Sequence, residues 1–226
     1  MNEPGHFHKR KLPHLVSSNG TYFVTTRLAG VIPKAIIDRY LNEKRFIDDE
    51  LSRFAFTEDD IRSEKLKDFH RKWFIEYDRV MDSSKDGPSW LADPDVASMV
   101  YESFLHRNGK SLDLHALCVM SNHVHSVFKP LPSDDDRNLQ YQGPDRRLSA
   151  ILMSLKGFTA RRANKHLCRI GAFWDAESYD HLVRNDTELK RVIKYTINNP
   201  VKAGLVSNWK DWKWTYLSDE FKSQFE

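Results

Sequence analysis

The hydrophobic residues of this chain recur with two periods, one typical of strands and one typical of helices. The segment TYFVTTRL (21–28) is β-branched and aromatic and follows the turn-forming residues SSNG, so it predicts a strand. Two more strand-like runs, 112–120 and 123–131, are separated by only two residues, a spacing that predicts a β-hairpin. A short run at 178–184 is a further candidate strand.

Helical periodicity fills the segments between these strands. The stretch 33–80 is charged, with apolar residues at helical spacing, and the segments 93–109 and 146–171 each end on a glycine. A last helix is predicted to begin after Asn185, in a capping-box-like sequence, and to be stopped by Pro200.

This order of elements predicts an α+β fold in which helices pack on one face of an antiparallel sheet. We expect one domain over 1–226, with a helical elaboration at about 33–88. The aromatic C-terminal tail, about 205–226, is expected to pack back on the domain.

Composition limits the class of protein. With 226 residues, 40% hydrophobic and 30% charged, the chain can form one good-sized core under a charged surface. No apolar run approaches the length of a membrane span, and the N-terminus lacks the apolar stretch of a secretory signal, so we expect a cytoplasmic protein that does not interact with membranes. Cys118 and Cys168 show no metal or disulfide pattern and are predicted to be reduced thiols in the core.

Charge is unevenly distributed although the net charge is only +3. No acidic residue occurs between Asp145 and Asp175. The basic residues of that interval are Arg146, Arg147, Lys156, Arg161, Arg162, Lys165 and Arg169. Such a stripe indicates an anionic partner, although a solvated helix face would give the same pattern.

A pair of histidines is the first candidate for chemistry. In VMSNHVHSVF (119–128), His123 and His125 are two residues apart on a predicted strand, so both imidazoles project from one face and could bind one metal ion. A chain with ten histidines can contain such a pair by chance, and a second one occurs at His6 and His8. The spacing alone does not decide between these interpretations.

The last predicted helix carries a second candidate pair. Tyr195 and Asn199 are four residues apart and therefore lie on one side of the helix, where Asn offers an amide oxygen to a metal and Tyr a phenol beside it. A half-buried aromatic followed by an asparagine near Pro200 would look the same. Glu188 shares the stripe, and we interpret it as part of the helix cap.

The two halves together resemble the single-tyrosine HUH transposases, specifically the branch of REP-associated tyrosine transposases. The resemblance rests on VMSNHVHSVFKP (119–130) followed by YTINNPVKAGLV (195–206). It extends from about 12 to 217, is dense over 111–217 and is thin over 33–88. Further similar segments are GTYFVTTRL, LKGFTARRANKHL, FWDAESYDHLVRND and WKWTYL.

The resemblance implies specific roles. The paired histidines of the family fall on His123 and His125, its nucleophile on Tyr195, and its third metal ligand on Asn199. It also implies a ferredoxin-like (RRM-like) HUH fold with a sheet of about four to five strands, a divalent metal (Mg²⁺ or Mn²⁺), and a monomeric or homodimeric protein.

The implied activity is cleavage and rejoining of single-stranded DNA near REP-like hairpins through a 5′-phosphotyrosine intermediate. The DNA phosphates are expected to contact basic residues of the acid-free segment. These are Lys156, Arg161, Arg162 and Lys165. Tyr22 and Trp174 could stack on unpaired bases but fit a core position equally well.

Two alternatives remain open at this level. A metal phosphodiesterase would use the histidine pair with water as the nucleophile, but the two-histidine-motif phosphoesterases need a second His-x-Thr/Ser repeat, which this chain lacks. A domesticated protein could bind hairpin DNA or RNA without cutting it. The intact set of two histidines, tyrosine and asparagine favours the transposase.

Overall fold

The computed structural model describes residues 20–51, 59–83, 87–132 and 146–225. The predicted polar loop at 133–145 and the His6–His8 pair therefore lie outside the described residues. The chain divides into two compact units. One comprises the chain up to Leu28 together with Trp90–Glu226, and the other is Ala29–Ser89. The single domain over 1–226 stays a prediction.

The described residues form strands and helices in the predicted order. The strands are β1 (Tyr22–Arg27), β2 (Leu112–Val119), β3 (His123–Pro130), β4 (Tyr179–Leu182) and β5 (Thr215–Leu217). The helices are α1 (Lys34–Leu51), α2 (Asp59–Ser83), α3 (Pro94–Arg107), α4 (Arg146–His166), α5 (Asp186–Lys202) and α6 (Asp219–Phe225), with short 3₁₀ turns at Trp90–Ala92 and Trp209–Asp211. None of the helices in these described ranges is long and apolar enough to cross a membrane.

All five strands belong to one antiparallel sheet in the order β4-β1-β3-β2-β5. The predicted α+β fold with an antiparallel sheet of four to five strands is confirmed. The sheet differs from the predicted one with a single covered face, because consecutive residues of β1 and β3 are buried and both faces of the sheet centre are therefore covered. The predicted tail supplies β5, and Trp212 Nε1 donates to Val119 O at 3.0 Å.

The register of the central strands decides which side chains meet. β1 pairs with β3 so that Thr25 lies opposite His125 and Arg27 lies opposite His123. In the β2–β3 hairpin, Cys118 lies opposite His125. Residues directly opposite each other on antiparallel strands share a face, so all five side chains project to the same side of the sheet.

Helix α5 packs on this face, since Glu188 of its first turn contacts His181 of β4 and the helix also contacts β2 and β3. Its start is fixed as predicted, because Asn185 Oδ1 accepts from Glu188 N at 2.9 Å and a Glu188 carboxylate oxygen accepts from Arg184 N at 2.9 Å. The prediction that Pro200 ends the helix is wrong. Pro200 lacks a backbone donor, but Ala203 N still donates to Asn199 O at 2.9 Å, and the helix continues to a Schellman motif closed by Gly204 at φ +70°.

The end of α4 also differs from the prediction. The helix ends at His166 rather than near Gly171, because Cys168 adopts φ +50° and Arg169 N donates to Asn164 O, which is again a Schellman arrangement. Cys168 is exposed, so its assignment as a core thiol is wrong, whereas Cys118 is buried as predicted. Both cysteines are free thiols.

The second unit consists of α1 and α2, which pack around an aromatic cluster. The Tyr40 ring lies 5.4 Å from that of Phe69 and 5.3 Å from that of Trp73, measured between centroids. An ion pair between Arg39 and Glu76, 2.7 Å long, joins the two helices at the surface. Both helices lie within the stretch 33–88, and its role as an elaboration of one domain stays a prediction.

Candidate active site and metal centre

His123 and His125 face each other on the covered side of β3. Their Nε2 atoms are 3.0 Å apart and their ring centroids 4.6 Å apart. Both residues are fully inside the protein, with 1% and 0% of their surface exposed. The structure thus brings both imidazoles to one point, as the strand period predicts.

The Nδ1 atom of each histidine ring lies within hydrogen-bond distance of a side-chain oxygen. Asn122 Oδ1 lies 2.7 Å from Nδ1 of His123, and Thr25 Oγ1 lies 2.8 Å from Nδ1 of His125. A carboxamide oxygen can only accept, so the His123 Nδ1 carries the proton and its Nε2 keeps a lone pair. The hydroxyl of Thr25 can accept in the same way from His125. Two Nε2 lone pairs that face each other at 3.0 Å are favourable when a proton or a cation lies between them.

Tyr195 extends from α5 over this pair. Its ring centroid lies 5.3 Å from that of His125 and 5.8 Å from that of Phe23, in edge-to-face arrangements. The tyrosine is half-buried. The ammonium of Lys202, two turns further along α5, lies 5.6 Å from the tyrosine ring centroid. A phenol, a cation and two imidazoles therefore meet at one edge of the buried face.

Asn199 is the most informative member of the predicted set. It lies one helical turn beyond Tyr195 and is only 1% exposed. Within the described residues, neither atom of its carboxamide has a hydrogen-bond partner. Leaving such a group buried and unsatisfied costs about 1–3 kcal/mol. A cation bound to Oδ1 would supply the missing interaction.

The donor set fits a divalent ion that prefers nitrogen and oxygen ligands. Two nitrogen atoms that bind one metal at right angles, each about 2.1 Å from it, are about 3.0 Å apart. The two Nε2 atoms have this separation of 3.0 Å. Burial raises the pKa of the neighbouring Cys118 to about 12, against a hydrogen bond from Thr215, so this thiol offers no thiolate at neutral pH. Two imidazole nitrogens and an amide oxygen therefore form a donor set for a divalent ion without a thiolate ligand, and the assignment of that ion as Mg²⁺ or Mn²⁺ stays a prediction.

A second tyrosine lies close by but differs in its environment. The Tyr179 ring lies 6.2 Å from that of Phe23. Burial, and then the charges of Asp180 and Glu188, raise the pKa of Tyr179 well above its usual range. Its phenol therefore stays protonated and is a poor nucleophile.

The predicted DNA-contacting residues do not share one surface of α4. Lys156 and Lys165 are nine residues apart, which places them on opposite sides of the helix. Lys156 Nζ donates to Ala176 O at 3.0 Å and to Ser178 Oγ at 3.4 Å, in the segment that leads into β4. Arg161 and Lys165 are exposed, and Arg162 lies against the ring of Phe158.

The two candidate base-stacking residues are part of the core. Tyr22 and Trp174 are both buried, and Trp174 Nε1 donates to Thr159 Oγ1 at 2.9 Å. Their role as core residues, one of the two interpretations left open by the sequence, is the one that the structure supports.

The sequence-based set omits Thr25, Arg27, Asn122 and Lys202, which the described part of the structure brings near the site. Thr25 and Arg27 come to the histidines only through the β1–β3 register, and Arg27 Nε is held by Asp175 Oδ2 at 3.0 Å. Asn122 precedes His123 directly. Lys202 follows Tyr195 by seven residues, two helical turns, and that spacing is a signal from which this residue could have been found.

This chain is similar to known proteins in sequence and in fold. No protein-family model matches the chain. It is 27% identical over 109 residues, 48% of its length, to a candidate REP-associated tyrosine transposase of Haemophilus influenzae. It is 24% identical over 106 residues, 47% of its length, to a REP-associated tyrosine transposase of Escherichia coli K12. The chain is a relative of the REP-associated tyrosine transposases.

The sequence similarity covers about half of the chain, whereas the structural similarity covers most of it. The matches cover 61% and 54% of the two curated relatives, so the chain spans little more than half of their length. A solved structure of a REP-associated tyrosine transposase bound to a REP hairpin superposes with a TM-score of 0.50 at 15% identity. That superposition covers 92% of this chain and 82% of the other, and it confirms the α+β fold.

Proposed function

We propose that this chain is a metal-dependent single-stranded DNA transposase. It would cleave and rejoin DNA near REP-like hairpins through a 5′-phosphotyrosine intermediate on Tyr195. The related proteins carry the name of this activity. The observation that carries the proposal is the position of Tyr195 over the paired Nε2 atoms, one helical turn before the unsatisfied carboxamide of Asn199.

His123, His125 and Asn199 would hold the metal through two Nε2 atoms and one amide oxygen. When bound, a divalent ion supplies a Lewis acid that neutralises charge on the scissile phosphate. The oxygens of Asn122 and Thr25 keep the protons of both imidazoles on Nδ1 and thereby leave both Nε2 atoms available. Burial of the pair keeps competing water away from these ligands.

Tyr195 supplies the nucleophile. Its phenol gives its proton to solvent, and Oη forms a bond to phosphorus while the bond from phosphorus to the 3′ oxygen breaks. The leaving 3′ oxygen takes up a proton and becomes a hydroxyl. The Lys202 ammonium, 5.6 Å from the Tyr195 ring centroid, would stabilise negative charge that develops on the phosphate during the exchange.

Rejoining is the same exchange in reverse. A 3′-hydroxyl attacks the phosphotyrosine, the bond from phosphorus to Oη breaks, and Tyr195 recovers its proton. Each step replaces one phosphate ester by another, so no nucleotide cofactor is needed. Because Tyr195 contacts His125 of the same chain, one chain would suffice to assemble this site.

The DNA would be held chiefly through its phosphates. We assign phosphate contacts to Arg161, Arg162 and Lys165 of α4, and to Lys156 if its ammonium leaves the 176–178 segment. The solved relative is named as bound to a REP hairpin, and we extend that substrate class to this chain. A protein acting on such DNA is expected in the cytoplasm.

One denaturing gel tests the proposal. The protein is incubated with Mg²⁺ or Mn²⁺ and a labelled hairpin with a single-stranded flank, and the sample is examined for a covalent protein–DNA band. We expect the band in the native protein and in Tyr179→Phe, and its loss in Tyr195→Phe. Cleavage without a band would indicate hydrolysis by water instead, and tight binding with neither would indicate a domesticated hairpin-binding protein.

A further inference from the structure

Helices α3 and α4 form a groove that carries an exposed aromatic ring close to two arginines. We call it the α3–α4 groove, and its basic part consists of Arg107, Phe158 and Arg162. The Phe158 side chain is 38% exposed although it is apolar. The guanidinium carbons of Arg107 and Arg162 lie 5.8 Å and 5.5 Å from its ring centroid.

Arg107 is held in position by neutral groups. Its Nη1 donates to Ser103 O at 2.8 Å and to Ser103 Oγ at 2.6 Å, and its Nη2 donates to Ser154 Oγ at 3.1 Å. Burial lowers the pKa of Arg107, but an arginine stays charged throughout the physiological range. The fixed guanidinium is thus partly removed from water and keeps its full charge.

Neither arginine is neutralised by an acid within the part of the chain that the structure describes. No carboxylate oxygen there lies within 4 Å of either guanidinium. The acids of the groove are Asp95 and Glu102. Asp95 lies 3.8 Å from Nε2 of His166, about 18 Å along α3 from Arg107. Glu102 is exposed and forms no ion pair with either arginine within the described residues, so the basic part keeps two positive charges beside one ring.

We propose that the basic part of the α3–α4 groove binds one unpaired nucleotide of single-stranded DNA, its phosphate at the two arginines and its base on Phe158. The choice of DNA rests on the proposed function. Guanidinium groups match phosphate geometry, and an exposed ring accepts any unpaired base. A paired base is already stacked inside its duplex, so this groove takes the single-stranded flank of a hairpin and not its stem.

Affinity measurements on the full chain test this site. Probes are a hairpin with a single-stranded flank that contains 2-aminopurine and the same hairpin with a blunt end. Phe158→Ala should weaken binding of the flanked probe about tenfold and remove the fluorescence change of 2-aminopurine. Arg162→Gln should lower the slope of log affinity against log salt by about 0.7, the value for one single-strand phosphate contact.

Matched controls exist in the helical unit, where Arg45 and Phe46 are adjacent and exposed. Arg45→Gln and Phe46→Ala should leave affinity and salt slope as in the native protein. Phe158→Trp should restore stacking, which separates a contact with the base from a folding defect. Binding of the blunt probe should change little in Phe158→Ala.

The outcomes of these experiments distinguish failure of the groove proposal from failure of the proposed function. Unchanged affinity for the flanked probe in Phe158→Ala and Arg162→Gln, with a covalent band in the native protein, would overturn the groove and leave the transposase intact. Loss of affinity in these variants without any covalent band in the native protein would support the groove and overturn cleavage. Equal weakening for blunt and flanked probes would contradict binding of an unpaired nucleotide.

Discussion

Thr25 Oγ1 lies 2.8 Å from Nδ1 of His125, directly opposite it across the β1–β3 ladder. When the hydroxyl accepts a hydrogen bond from Nδ1, His125 Nε2 keeps a lone pair that can bind a metal. Thr25→Val keeps the shape and removes the acceptor, and it should weaken Mn²⁺ binding about tenfold or more, as loss of such outer partners does at other metal sites. Calorimetric titration with Mn²⁺ measures the effect.

The neighbouring Thr26 provides the control for this variant. It is equally buried on the same strand but projects from the other face. Thr26→Val should therefore leave the Mn²⁺ affinity unchanged. Equal affinities in Thr25→Val and the native protein would mean that this hydroxyl does not orient a metal ligand.

Asn199→Leu should change stability and metal binding in opposite directions. Since the buried carboxamide lacks a partner within the described residues, an apolar side chain of the same shape should raise the free energy of unfolding of the metal-free protein by about 1 kcal/mol. The same change should abolish the stabilisation that Mn²⁺ gives the native protein, about 2.7 kcal/mol at a hundredfold excess over Kd. Denaturant unfolding with and without Mn²⁺ measures both effects.

The adjacent Asn198, which is half-buried, is the control for that variant. Asn198→Leu should retain stabilisation by Mn²⁺. A metal-dependent increase in stability that survives in Asn199→Leu would remove Asn199 from the ligand set.

Lys202→Met should slow formation of the covalent DNA adduct about tenfold, because in the proposed mechanism the cation beside the Tyr195 ring stabilises negative charge that develops at the reacting phosphate. Lys202→Arg should restore most of the rate. Lys210 places its ammonium 5.7 Å from the Trp209 ring, a similar contact at another place, so Lys210→Met serves as the control. Single-turnover rates on a labelled hairpin measure the change, and equal rates in all variants would exclude a role for Lys202.

The pH dependence of the free energy of unfolding should reveal how much the Glu188 carboxylate stabilises the folded state. Burial raises the pKa of this carboxyl, but hydrogen bonds from Arg184 N and His181 outweigh it and lower the pKa below the usual value near 4.5. A carboxyl with a lowered pKa stabilises the folded state above that value and loses the contribution as pH falls through its folded pKa. The difference in unfolding free energy between the native protein and Glu188→Gln should therefore be largest near neutral pH and vanish in acid.

Asp186 lies in the same first turn of α5 and is exposed, so Asp186→Asn is the control for this pH profile. It should shift stability far less between neutral pH and acid. A native profile that coincides with that of Glu188→Gln at every pH would contradict the role of this carboxylate as a helix cap.

Much of the site follows from local periods in the sequence. The two-residue strand period places both imidazoles on one face, and the helical period places Tyr195 and Asn199 on one side of α5. The partner oxygen of Thr25 depends instead on a strand register a hundred residues away, which no local pattern contains. The phosphate and metal roles of these residues remain predictions.

The wrongly predicted helix ends have a different cause, which is local. The sequence marks Pro200 and Gly171 as helix ends, but the actual ends are set by backbone hydrogen bonds around Gly204 and Cys168. A cysteine in the left-handed conformation gives no signal in a residue pattern. Arg107 was missed because its guanidinium meets Phe158 only when α3 packs on α4.

The identity of the nucleophile is tested most directly by mass spectrometry of the trapped adduct. After incubation with Mn²⁺ and a hairpin substrate, the protein is digested with nuclease and then trypsin, and peptides carrying a nucleotide remnant are sequenced. We predict the remnant on Tyr195, in the peptide YTINNPVK that ends at Lys202. A remnant on Tyr179, in the peptide that ends at Arg184, or cleaved DNA with no modified peptide, would contradict the account.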